Sequence, residues 1–202
     1  MPIISRPGEG HLRRMIDLRC LSSHEAEAWL EDDFHHFGVR FKHDGERIHA
    51  VTTYAERYPW ATCPGAAEPM QALVGKPLVA RASDIGRLID MRLQCTHVFD
   101  LAGLLSAFVT TGKSSRRYEV QVMDRACLSS SKEWLNPVFG KGNATLIRDG
   151  AVVAAWQLDN DQVTATNAPS GLTLGIGFRA WTESLPLDQA EYAFILRRAI
   201  LV

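Results

Sequence analysis

Apolar and polar positions alternate clearly in several stretches of the chain, and helical spacing replaces alternation in others. Arg13 to Arg19 alternates with a period of two and predicts a first strand. Phe34 to Lys42 and Arg47 to Tyr58 flank His43-Asp44-Gly45-Glu46 and predict a long β-hairpin. Asp-Gly readily takes the positive φ angles of a two-residue hairpin turn. That turn sets a register in which Phe41 faces Ile48, Val39 faces Ala50 and Phe37 faces Thr52. Continued with the same period, His35 lies opposite Tyr54 and Asp33 opposite Glu56 on the apolar side, while Asp32 pairs with Arg57 on the other.

A helical block follows. Pro64 to Val74 carries an early proline and ends at Gly75, which are start and stop signals. Ser83 is placed to cap a helix with Ile85, Leu88 and Ile89 inward. Thr96 is placed to cap a longer one, whose buried stripe is Leu101, Leu104, Leu105 and Phe108, with His97 one turn before Leu101 on the same stripe. Tyr118 to Met123 and Thr145 to Trp156, the latter containing Asp149-Gly150, read as strands. Leu187 to Val202 reads as a closing amphipathic helix with Phe194, Ile195 and Ala199 inward. The sum is an α+β protein, expected as a single domain over 1–202: an antiparallel sheet built on the long hairpin, helices on one face, further antiparallel strands and a C-terminal helix.

Composition narrows the function classes. The 202 residues are 46% hydrophobic and 22% charged, which excludes bulk disorder. A net charge of −1 argues against a nucleic-acid partner, which calls for a basic surplus. No apolar run approaches the roughly 20 residues of a membrane helix. Met1 to Gly8 lacks the apolar core of a signal peptide, so a cytoplasmic protein is expected. A homodimer is left open.

Chemistry concentrates in three segments: Glu31-Asp32-Asp33-Phe34-His35-His36, Trp60-Ala61-Thr62-Cys63-Pro64-Gly65 and Gln94-Cys95-Thr96-His97-Val98-Phe99-Asp100. Cys63 follows the hairpin's return strand. Cys95 and His97 open the long helix, and both cysteines fall at helix N-termini, where the dipole favours thiolate. Convergence of Asp33, His35, Cys63, Cys95 and His97 on one pocket is therefore expected. His35 and His36 are adjacent and point to opposite faces of a strand, so His35 is the expected pocket residue and His36 its neighbour from behind. Neutral imidazoles serve as acid–base groups near pH 7, tuned by Asp33 and Asp100. Tyr54 and Arg57 suit stabilisation of a departing phenolate, and Trp60 suits stacking on an aromatic ring. Cys20 and Cys127 lack such neighbours and are expected to be structural, without a disulfide. The alternative is a metal-binding module in which Asp33, His35, Cys63 and Cys95 hold zinc or iron.

Two resemblances attach to these segments. Glu-Asp-Asp-Phe-His-His, Cys-Pro-Gly-Ala and Gln-Cys-Thr-His-Val-Phe-Asp-Leu-Ala-Gly resemble the motifs of an uncharacterised bacterial family, a domain of unknown function. Some of its members look like phenylcoumaran γ-formaldehyde lyases. That resemblance implies a cofactor-free lyase acting on a small lignin-derived aromatic, with formaldehyde and a stilbene as products. The layout over about residues 30–110 is also similar to iron–sulfur scaffold proteins of the IscU/NifU type. Asp33 and His35 fall at the first ligand segment, Cys63 at the second and Gln94-Cys95 at the last. An acidic or imidazole residue replaces the first cysteine and Gln94 replaces the histidine, a set unsuited to a cluster that wants thiolates.

Overall fold

The computed structural model describes residues 10–129 and 137–201. Its strands and helices make an α+β protein that divides into two compact units, Arg14–Tyr118 and Met1–Arg13 with Glu119–Val202. Strand β1 (His11–Ser22) begins the sheet of the first unit, followed by β2 (Glu25–Glu31), β3 (His36–His43) and β4 (Ile48–Arg57). These pair antiparallel in the order β4-β3-β2-β1, with β5 (Ser115–Met123) next to β1. Ile16, Leu18, Ala26, Ala28, Leu30, Phe37, Val39 and Phe41 share the buried face. Short helix α1 (Ala67–Met70) packs by β4, and the 15-residue helix α2 (Thr96–Thr110) covers β2 and β3. Leu101, Leu104, Leu105 and Phe108 of α2 are buried, as their spacing predicts.

The hairpin register differs from the sequence expectation. Phe41 lies opposite Val51, Val39 opposite Thr53 and Phe37 opposite Ala55. Asp44 does not take a positive φ. Its Oδ1 instead accepts the backbone N–H groups of Glu46 (2.8 Å) and Arg47 (2.7 Å), an Asx turn that lengthens the loop. His43 pairs with Ile48, so the loop itself adds two residues and keeps the faces; a bulge between Lys42 and His43 adds the third, and this odd step turns β4 over relative to β3. Tyr54 consequently sits opposite Gly38, on the face away from α2. Asp149-Gly150 behaves as predicted for the two-residue turn, with φ of 51° and 86°.

His43 closes the same loop and is only 5% exposed. The Gly45 N–H donates to its Nδ1 (3.2 Å), so the neutral ring carries its proton on Nε2, which is buried without a hydrogen-bond partner. Burial, reinforced by His24 and His49 and opposed by Asp44, holds His43 below the ordinary imidazole value of 6.5. A base depressed on folding binds more protons when unfolded, so stability falls as pH drops below that value. Between about pH 7.5 and 5.5, urea unfolding of the wild type should lose more stability than unfolding of His43→Gln. Equal losses would remove this assignment.

The helical block is more broken than its spacing predicts. Pro64 to Val74 forms a 3-10 turn (Cys63–Ala66), α1, and another 3-10 turn (Gln71–Leu73). Pro69 has no N–H for an α-helical bond, which prevents one continuous helix. The expected helix after Ser83 is a 3-10 turn over Ala82–Arg87, with Ile85 and Ile89 buried and Leu88 half-buried. Cys95, not Thr96, occupies the cap position of α2, without a side-chain cap bond. Gly103 lets α2 approach this turn: a methyl group there would run into the Ala82 carbonyl oxygen and lie 3.2 Å from Ile85 Cγ2. Gly103→Ala should therefore destabilise by about 1–3 kcal/mol despite its gain in helix propensity of roughly 1 kcal/mol. A urea midpoint at or above that of the wild type would contradict this.

In the second unit, β6 (Lys141–Arg148), β7 (Ala151–Asp159) and β8 (Gln162–Thr164) follow β5 in that order. Helices α3 (Phe178–Ser184) and α4 (Leu187–Ile200) complete it, with α4 against β6. Trp156, Phe178 and Trp181 form an aromatic cluster with centroid separations of 5.3–6.0 Å. Ile195 and Ala199 of α4 are buried, whereas Phe194 is half-buried. None of the described helices is long and apolar enough to cross a membrane.

Candidate functional site

The turn between β2 and β3 organises the first unit's chemistry. Asp32 Oδ1 accepts the backbone N–H groups of Phe34 (2.9 Å) and His35 (2.8 Å), and the Asp32 N–H donates to the His35 carbonyl (2.9 Å). These bonds fold Asp32-Asp33-Phe34-His35 into a tight turn in place of an extended strand, and alternation fails across it. Asp32 is therefore buried, and Asp33, expected beside His35, is exposed.

Asp32 is the centre of a buried polar chain. Arg14 of β1 donates from Nε (2.9 Å) and Nη2 (2.6 Å) to Asp32 Oδ2. The two side chains are 1% and 0% exposed. His35 Nδ1 lies 2.9 Å from Asp32 Oδ1. Burial alone would raise the Asp32 carboxyl, but the Arg14 charge and hydrogen bonds, with those from Phe34 and His35, hold it below its ordinary value. An ionised Asp32 accepts only, so Nδ1 of His35 carries a proton and Nε2 of the neutral ring carries the lone pair.

His97 lies on the first turn of α2 and stacks on His35 with a centroid separation of 3.9 Å. Phe37 stacks against both imidazoles at 5.8 Å. Asp100 is buried further along the same helix turn. Two imidazoles, a fixed carboxylate and an aromatic floor thus meet on the helix-covered side of the sheet, and Arg14 and Asp32 join them unforeseen. The run of acids before two histidines marks this segment as chemical but gives no sign of its turn. Arg14 looked like any polar strand residue until its partner was in place.

The other expected residues have the following surroundings. His36 and Tyr54 occupy the opposite face with Trp29, whose ring stacks on Tyr54 at 5.1 Å and approaches His36 at 5.4 Å. Tyr54 is therefore not across from His35; the bulge beside His43 turned it to the other face. Arg57 donates from Nη2 to the Asp32 carbonyl (2.5 Å) and to Glu31 (3.1 Å), not to the Asp32 carboxylate. Trp60 is 72% exposed. Cys63 opens its 3-10 turn and Cys95 caps α2, both half-buried, and all four cysteines are free thiols. Among the described residues, no three His, Cys, Asp or Glu side chains converge in a group that could hold a metal. Asp33, His35, Cys63 and Cys95 are accordingly not gathered in such a group in this arrangement.

Arg14, Asp32, His35 and His97 all fall within one family match. Residues 12–110 match the family described as Protein of unknown function (DUF2889). The DUF2889 match thus takes in β1 to β4 and α2 with the whole buried chain, while β5 to β8, α3 and α4 follow it. No curated protein matches the sequence.

Proposed function

We propose that the first unit is an acid–base catalyst centred on His35, and that its substrate is a phenolic aromatic dimer of the phenylcoumaran type. One observation carries the acid–base reading: a buried carboxylate, itself fixed by Arg14, holds His35 Nδ1 at 2.9 Å while a second imidazole stacks on the ring. A base held in one tautomer and orientation is what general base catalysis needs. The substrate class rests on the likeness of the three sequence motifs to lyases of that kind.

The reaction proposed is redox-neutral. Deprotonation of the substrate's para-phenol expels the ring ether oxygen, which leaves as a phenolate and takes up a proton, giving a quinone methide. His35 Nε2 then accepts the γ-hydroxyl proton. The carbon–carbon bond to that carbinol carbon breaks, formaldehyde leaves, and the electron pair forms the stilbene double bond and restores the aromatic ring. His97 is positioned beside His35 to return a proton. Incubation of the protein with phenylcoumaran-type dimers should yield equimolar formaldehyde and stilbene absorbance. Unchanged dimers, including those with a free para-phenol, would reject this substrate class.

A further inference from the structure

The second unit holds a cavity of about 660 Å³ that the chemistry at His35 does not use. Its volume falls within the roughly 300–1,000 Å³ of small-molecule sites. Leu12, Val122, Leu174 and Ile200 give it an apolar lining. Two arginines line it from separate elements, Arg125 after β5 and Arg197 from α4.

Arg125 is held in place. Its Nη1 donates to the Asn160 carbonyl (2.6 Å), and its guanidinium lies 5.0 Å over the Phe139 ring. Gly142 makes room for its stem: a Cβ there would stand 2.6 Å from Arg125 Cγ. No carboxylate pairs with Arg125 among the described residues. Burial disfavours its charged form and lowers its proton affinity. A half-buried cation that pairs with no carboxylate among the described residues, fixed by one carbonyl and one ring, keeps most of its forked donors for an incoming anion. Arg197 is similarly fixed, with Nε on the Leu174 carbonyl (2.6 Å) and its guanidinium 5.3 Å over Phe178. Asp124 and Asp161 also border the cavity and are exposed. Their charges offset the two arginines, so the surroundings disfavour a multiply charged phosphate while still offering one forked anchor.

We propose that this cavity binds a small organic monocarboxylate with an apolar body, its carboxylate on Arg125 and its body against Leu174 and Ile200. The site stands independently of the acid–base reading.

Cinnamate, its neutral counterpart cinnamamide and inorganic phosphate test the proposal on the full chain by titration calorimetry and amide NMR. Cinnamate should saturate, with shifts centred on Asn160, Asp161 and Leu174. Cinnamamide should bind at least about tenfold more weakly, as expected for losing a charge-assisted pair, and phosphate should not compete. Arg125→Gln should abolish the preference for acid over amide, Arg125→Lys should retain part of it, and Ile200→Trp should block both ligands. Equal binding of acid and amide, an unaltered preference in Arg125→Gln, shifts centred elsewhere, or no saturation at millimolar cinnamate would overturn it. If Arg125→Gln does not fold, the wild-type ratio and the Ile200→Trp result decide.

Discussion

His35→Gln should lower turnover of a phenylcoumaran-type dimer by roughly 10²–10⁴-fold, the usual cost of removing a general acid–base group. The replacement is chosen for what it keeps. A glutamine amide can donate to Asp32 Oδ1 as His35 Nδ1 does at 2.9 Å, so the turn and its partners persist. What disappears is the titratable lone pair. His36→Gln, on the Trp29 face of the sheet, should cost far less activity. Formaldehyde release and stilbene absorbance measured for both variants separate the faces. Loss in His36→Gln with retention in His35→Gln would place the chemistry on the other side, and two active variants would remove this turn from the mechanism.

The largest effect on stability is expected from Asp32. Asp32→Ala leaves Arg14, 1% exposed, as a buried cation without its carboxylate. Breaking such a pair from one side costs about 3–5 kcal/mol. The same change also frees the Phe34 and His35 N–H groups that shape the turn. Replacing both charges, as Arg14→Met with Asp32→Leu, should recover much of the loss, because no isolated charge remains. Urea unfolding of the single and double variants checks both statements; a double variant no more stable than Asp32→Ala would place the cost in the turn. The sign of the acid dependence also follows. Asp32 lies below its ordinary value of 3.8 in the folded protein, so its contribution is complete above that value and disappears as pH falls through the lower, folded one.

Much of this architecture was legible in the residue pattern, and the exceptions have physical causes. The stripe Leu101-Leu104-Leu105-Phe108 and the face Phe37-Val39-Phe41 declare themselves because long apolar side chains repeat at one spacing. Strand β2 went unpredicted because its inward residues include Ala26 and Ala28, and its sequence Glu-Ala-Glu-Ala-Trp-Leu-Glu is composed largely of helix formers. Its absence hid the turn at Asp32, and with it the exchange of Asp32 for Asp33. The two Asp-Gly pairs illustrate a further limit. Asp149 and Gly150 both take positive φ, whereas Asp44 bonds forward through its side chain. The same dipeptide supports either geometry, but it is the bulge beside His43 that turns Tyr54 to the other face.

The Arg14–Asp32 contact also bears on how the chain avoids folding incorrectly. β1 and β2 pair with Ile16 opposite Leu30 and Leu18 opposite Ala28. Small and branched apolar residues alone tolerate a two-residue slip, since the same face stays inward. Arg14 does not. A two-residue displacement of β1 would bring an aliphatic neighbour, Leu12 or Ile16, to the guanidinium's place and strand Asp32 among apolar side chains, a penalty of several kcal/mol for any such off-pathway pairing. The buried ion pair thus acts as a key that only one alignment of the first two strands can turn, discriminating against competing compact states as much as it holds the native one.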